Sequence, residues 1–236
     1  MSESEETTLK KPNVTFLYMI FGITFVAAIL MGNILATKPL NLGIGVAPAG
    51  ILVFPMTYIM SDIVAEVYGF KAMRKIIWIG FAFTIVQSLL LMLASVIPAP
   101  VWYANTKGFG MIAMQSPRIL LGQLLAYVVG EWLNAGVISK MKFLHFAKTN
   151  SKKAFSVRAV ASTIVGELAD SAIFIPVAFI GINPLNTILV SVFLQASCKI
   201  AYEIIMLPFT NWFVNKVKKH ENVDNVDVNI SYKIIG

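Results

Sequence analysis

Six apolar blocks, each near the roughly 20 residues that a helix needs to cross a bilayer, constrain this chain more than anything else in it. They run Val14–Thr37, Ala49–Tyr68, Lys75–Ile97, Ile119–Ser139, Arg158–Ile180 and Leu185–Phe213. Hydrophobic residues make up 57% of the chain and charged residues 13%, against roughly 45–50% and about 25% in soluble domains. The mean hydropathy is +0.75. A soluble protein of 236 residues could not hide so much apolar surface from water, so the solvent of this fold is lipid. The expectation is an all-α membrane protein with six transmembrane helices.

The net charge of +7 would suit nucleic acid if it formed a patch, but it is distributed as a topology signal. Lys71, Arg74 and Lys75 separate blocks two and three. Lys140, Lys142, Lys148, Lys152, Lys153 and Arg158 separate blocks four and five, and Lys216, Lys218 and Lys219 follow block six. The opposite loops hold little beyond Lys38, Lys107 and Arg118. Basic loops stay in the cytoplasm, which places both termini inside and argues against nucleic acid as a partner. The domain reading is a cytoplasmic tail at 1–13, a transmembrane domain at 14–214 and a polar cytoplasmic tail at 215–236. The first block is longer than a signal-peptide core and reads as a retained span.

Block two opens irregularly, with Pro48, Gly50 and Pro55. Such an opening predicts a kinked or broken helix, tolerated in a membrane only against protein or a water cavity. The outer stretch from Pro98 to Pro117 carries Trp102, Tyr103 and Phe109 and reads as an interfacial aromatic belt or a lid. Three blocks on each side of the basic 140–158 loop are compatible with a 3+3 inverted repeat pairing blocks two and five. The lone Cys198, with His145 and His220 in basic stretches, supplies no metal cluster. No glycine-rich phosphate loop or histidine pair on a helix supports an enzyme, and no cofactor is implied.

Six of the twelve acids, Asp62, Glu66, Glu131, Glu167, Asp170 and Glu203, fall inside the blocks. Each costs on the order of 2.5–3.5 kcal/mol at a helix centre. Apart from the loop-border residues Lys75 and Arg158, only Arg118 at a block entrance and Lys199 within a block are available as basic partners. Some of the acids must therefore be protonated, bound to a ligand or open to water. Spacing gathers them on helix faces, because residues three or four apart share one. Tyr58, Asp62 and Glu66 form one stripe, and Gln123, Tyr127, Glu131 and Asn134 a second. Thr163, Glu167, Asp170 and Phe174 form a third, while Ser191, Gln195, Lys199 and Tyr202 form a fourth beside Glu203. Turned inward, the four would line one cavity. Structural alternatives exist: Glu66 could pair with Arg74, Glu203 with Lys199, and Glu131 could tie two helices. The mixture of acids, amides, a lysine and tyrosines fits an organic molecule better than a uniform ion filter.

The run Phe54-Pro55-Met56-Thr57-Tyr58, then Asp62, Glu66, Val67-Tyr68-Gly69 and Arg74, closely resembles the bacterial queuosine precursor transporters, also called the YhhQ or vitamin uptake transporter family. Asn33, Pro48-Ala49-Gly50, Arg118, Gly166, Asp170, Ser171 and Lys199 add to the resemblance, which extends over roughly 33–213. It implies uptake of 7-deazaguanine bases, the 7-cyano and 7-aminomethyl precursors of queuosine, across the cytoplasmic membrane without a dedicated ATPase. An alternative is the membrane-bound substrate-binding subunit of an ATPase-driven vitamin or nucleobase uptake complex. A third is an assembly protein whose stripes hold partner helices, and a homodimer is compatible with each. Expected substrate contacts are Asn33, Phe54, Tyr58, Asp62, Glu66, Arg118, Gln123, Glu131, Glu167, Asp170, Gln195 and Lys199. Glu131, Glu167 and Glu203 enter on physical grounds alone. A carboxylate would accept from N1–H and the 2-amino group, a lysine or amide would donate to O6, and an aromatic ring would stack.

Overall fold

Thr15 starts the first helix: its Oγ1 accepts from Tyr18 N at 3.2 Å, satisfying one of the amides that a helix start leaves unpaired. Helix α1 (Phe16–Ala36) is about 31 Å long at 1.5 Å per residue, the thickness of a bilayer core. The computed structural model describes residues 15–146 and 152–221, excepting the side chains of 66, 70, 131, 132, 134–146, 152–163, 207 and 211.

The chain leaves α1 into a short antiparallel hairpin, β1 (Pro39–Asn41) and β2 (Val46–Pro48), with Leu40 opposite Ala47. Gly43 takes φ +79° in its turn, and its N–H donates to Asn41 Oδ1 at 3.0 Å, the local bond by which asparagine favours turns. A single 3₁₀ turn, Ala49–Leu52, then leads into α2 (Phe54–Tyr68). The proline-glycine opening of block two thus becomes a discontinuity at Val53. Alone, α2 spans only about 22 Å. The 3₁₀ turn adds about 8 Å, so together they match the bilayer core.

Gly69, at φ 92°, separates α2 from α3 (Phe70–Val96). Then follow α4 (Thr106–Phe146), α5 (Lys152–Phe179) and α6 (Leu185–Glu221). Among the described residues these six α-helices dominate, and four stretches, Phe16–Ala36, Lys71–Val96, Thr106–Gly130 and Leu185–Met206, are long and apolar enough to cross a membrane.

Helix α4 departs most from the sequence reading. It begins at Thr106 and contains Pro117, so the expected outer loop shrinks to about nine residues, 97–105, with Trp102 exposed. Gly108, Gly110, Gln115 and Ser116 kept that stretch from reading as apolar, but none of them stops a helix packed on a neighbour. Helix α6 likewise runs past 214, through Lys216, Lys218 and Lys219, to Glu221.

Two apolar cores result. One joins α1, α2, α3 and the end of α6 through Phe21, Phe25, Ile63, Val67, Ile77, Phe81 and Val214. The other joins α4, α5 and the start of α6 through Ile119, Ala126, Phe174, Ile175, Ala178 and Ile188. Helices α4 and α5 form the most extensive helix pair, and glycines let them close. A Cβ at Gly122 would lie 3.3 Å from both the ring and the carbonyl oxygen of Phe174, and one at Gly130 would lie 3.4 Å from Gly166 O. Gly122→Leu should therefore cost about 1–3 kcal/mol through overpacking, measured as a lower unfolding midpoint in detergent. Gly110→Leu, which meets open space, should leave that midpoint in place.

Candidate functional site

Between the two cores lies a cavity of about 370 Å³, at the small end of the range for small-molecule sites. Helix α2 contributes Phe54, Thr57, Tyr58, Ser61 and Asp62; α4 contributes Gln123 and Tyr127; α5 contributes Gly166, Glu167, Asp170 and Phe174; α6 contributes Gln195, Lys199 and Glu203. The remaining wall comes from Phe25, Ala28, Ile29, Gly32 and Ala36 of α1, Ile77 and Phe81 of α3, Ala126 and Gly130 of α4, and Pro48, Gly50, Ile51 and Val53 of the hairpin and 3₁₀ turn. Each of the four polar stripes thus contributes some of its members to the wall.

Lys199 is the centre of the polar wall. Its side chain is 10% exposed, and a charge that far from water needs partners to remain charged. It hydrogen-bonds to Asp170 Oδ2. Glu167 Oε2 lies 3.0 Å from its Nζ, an ion pair without hydrogen-bond alignment. The same ammonium stands 4.7 Å from the centre of the Phe54 ring, within cation–π range. One side chain of α6 is thereby tied to α5 and α2. Of the two carboxylates, Glu167 is 6% exposed and Asp170 26%, so Asp170 is the one with surface left for a ligand. Phe54 also lies 4.4 Å from Tyr58, centre to centre, and meets Tyr202 edge-on at 6.3 Å.

The cavity walls also hold unspent hydrogen-bonding capacity. Among the described residues, the side-chain carbonyl oxygens of Gln123 and Gln195 are buried without a partner. A buried polar atom left unpaired costs on the order of 1–3 kcal/mol, which a bound molecule can recover.

The family follows from a match over residues 48–213 to the family described as "Putative vitamin uptake transporter". The chain belongs to that family. It is 28% identical over 191 residues, 77% of its own length and 78% of the relative's, to a Bacillus subtilis protein named "Probable queuosine precursor transporter". A Haemophilus influenzae protein of the same name is 25% identical over 130 residues, covering 55% of this chain and 51% of that one. No solved structure matches the chain. It is a multi-pass membrane transporter of the cytoplasmic membrane for a small molecule.

In this transporter Phe54, Tyr58, Asp62, Gln123, Glu167, Asp170, Gln195 and Lys199 share the cavity. Arg118 does not line it. Its guanidinium donates to Ile180 O at 2.6 Å and to Val177 O at 3.4 Å, satisfying carbonyls that the end of α5 leaves open. Asn33 is 1% exposed, and neither polar atom of its side chain has a partner among the described residues. It lies beside Gly32, which does line the cavity. Ser191, from the α6 stripe, donates instead to Val46 O of the hairpin. The side chains of Glu66, Glu131, Asn134 and Thr163 lie outside the described ones. From α1 the sequence reading took only Asn33, through the resemblance, and Phe25, Ala28, Ile29 and Gly32 escaped it because the helix shows no polar stripe; its signals are the small residues Ala28 and Gly32.

Proposed function

We propose that this transporter imports 7-deazaguanine precursors of queuosine across the bacterial cytoplasmic membrane, holding them in the cavity between the two cores. The observation that carries the reading is the Asp170–Lys199 pair facing Phe54 and Tyr58 in one small cavity. It supplies an acceptor, a donor and aromatic surface together, which is what a guanine-like edge and ring require. Gln123 and Gln195 add amides to its wall. The two relatives' names point to the same class of cargo.

Purified protein should gain thermal stability with 7-cyano- or 7-aminomethyl-7-deazaguanine, rising with ligand concentration as mass action requires. The protein alone in liposomes should take up the labelled base. Stabilisation by an unrelated vitamin and by neither deazaguanine would overturn the substrate; uptake that appears only with an added ATPase would overturn the self-sufficient carrier.

All six helices cross the membrane in this proposal, both termini are cytoplasmic, and the α2–α5 correspondence of a 3+3 repeat is retained. Lys71 and Lys107 are both exposed and lie at opposite ends of that arrangement. In a Cys198→Ser background, Lys107→Cys should react with a membrane-impermeant thiol reagent in intact cells, and Lys71→Cys only after permeabilisation. The reverse pattern would invert the topology.

A further inference from the structure

We propose that Lys199 sets the charge preference of the cavity, its own ammonium occupying the place that a ligand's ammonium would take. The inference rests on the cavity being the transport site, as proposed above, and adds what decides between neutral and cationic cargo.

The surroundings of Nζ are those of a bound amine. Asp170 accepts its hydrogen bond, Glu167 Oε2 stands 3.0 Å away, and the Phe54 ring presents its face at 4.7 Å. Carboxylates joined to an aromatic face make up the usual receptor for a free ammonium ligand. Here the cation is tethered, and a tethered group competes at a far higher effective concentration than a free one. A ligand that seats its ammonium on Asp170 must displace Lys199. A neutral ligand need not displace it, and can use an N–H of the ammonium that Asp170 does not take. Asp62 and Glu203 also line the cavity and attract any cation, but they do so with or without Lys199. Removing the lysine therefore changes the ratio of affinities rather than adding an acid.

Lys199→Ala leaves a gap of alkylamine shape between Asp170, Glu167 and Phe54. Methylammonium and ethylammonium chloride should raise its unfolding midpoint saturably over matched sodium chloride. Tetramethylammonium, too wide for a gap shaped by one lysine stem and without an N–H for Asp170, should not. Wild type and Lys199→Arg should not respond to any of the three. An alkylammonium response no larger in Lys199→Ala than in wild type overturns the inference. If Lys199→Ala does not fold, the double variant Lys199→Ala, Glu167→Gln removes one charge of each sign while keeping the gap and Asp170, and the same two outcomes decide. Where deazaguanines bind, the affinity ratio of the 7-aminomethyl over the 7-cyano base should rise at least about tenfold in the variant, and an unchanged ratio is fatal to the inference. Failure of both bases to bind wild type instead overturns the substrate proposal, while the alkylammonium series still decides the role of Lys199.

Discussion

Asp170→Asn should weaken binding of a 7-deazaguanine by roughly two to four orders of magnitude while the protein still reaches the membrane. The size follows from replacing a carboxylate that accepts two hydrogen bonds. Each bond to a charged group contributes about 1.5–3 kcal/mol, and every 1.4 kcal/mol is tenfold in affinity. Asp170 is chosen over Glu167 because its side chain is 26% exposed against 6%, and over Asp62 because Lys199 holds it in place. Asparagine keeps the shape but turns one acceptor into a donor facing the ligand's donors. It also leaves Lys199 with Glu167 as its remaining carboxylate in the clasp. The specific readout is a pair of ligands that differ only in the 2-amino group. Wild type should reject the deaminated one, because a site built to pair with a group loses that pairing with the analogue. Asp170→Asn should discriminate far less. Equal discrimination by both proteins would remove Asp170 from that edge and make Asp62 the residue to test.

The cavity was readable from the sequence to the extent that its walls are amphipathic. Asp62, Gln123, Glu167, Asp170, Gln195 and Lys199 stand out because charges and amides interrupt apolar helices at helical spacing, and a polar group in lipid must turn inward. The partner of Lys199 was less legible. Glu203 lies one turn away on the same helix, whereas the clasp with Asp170 and Glu167 depends on how α5 and α6 face each other. The role of Arg118 was hidden for a related reason. It caps α5 only because α4 runs past it by three turns, and hydropathy does not register that polar extension. The broken entry to α2 was legible in Pro48, Gly50 and Pro55. The hairpin before it was not, since two three-residue strands carry no pattern of their own. What holds the hairpin is contact with α6, through Ser191 on Val46 O and Gly45 against Val190.

That contact carries the other large effect. A disulfide joining the hairpin to α6 should abolish uptake while ligand binding persists. Pro48, Gly50, Ile51 and Val53 line the cavity beside the hairpin, and a carrier must open each end in turn. On the proposed topology the hairpin lies at the outer end, so the hairpin and 3₁₀ turn must part from α6 to admit cargo. Gly45 and Val190 suit the cross-link. A Cβ built at Gly45 would lie 2.9 Å from Val190 Cγ1, which puts the two Cβ atoms near the roughly 3.5–4.5 Å of a disulfide. Val190→Cys replaces the nearer of the two methyls that would crowd the new side chain, the other being Leu194 Cδ2 at 3.1 Å. In a Cys198→Ser background, oxidised Gly45→Cys, Val190→Cys protein should take up less than about a tenth of the labelled base that its reduced form does, and a thiol reductant should restore the difference. The single cysteine variants should be indifferent to oxidant. Binding measured in detergent, where the ligand reaches the cavity from either side, should survive the cross-link, which separates a locked gate from a damaged site. Uptake that continues at full rate with the cross-link formed would mean that the hairpin stays on α6 throughout transport, and that cargo enters between other helices.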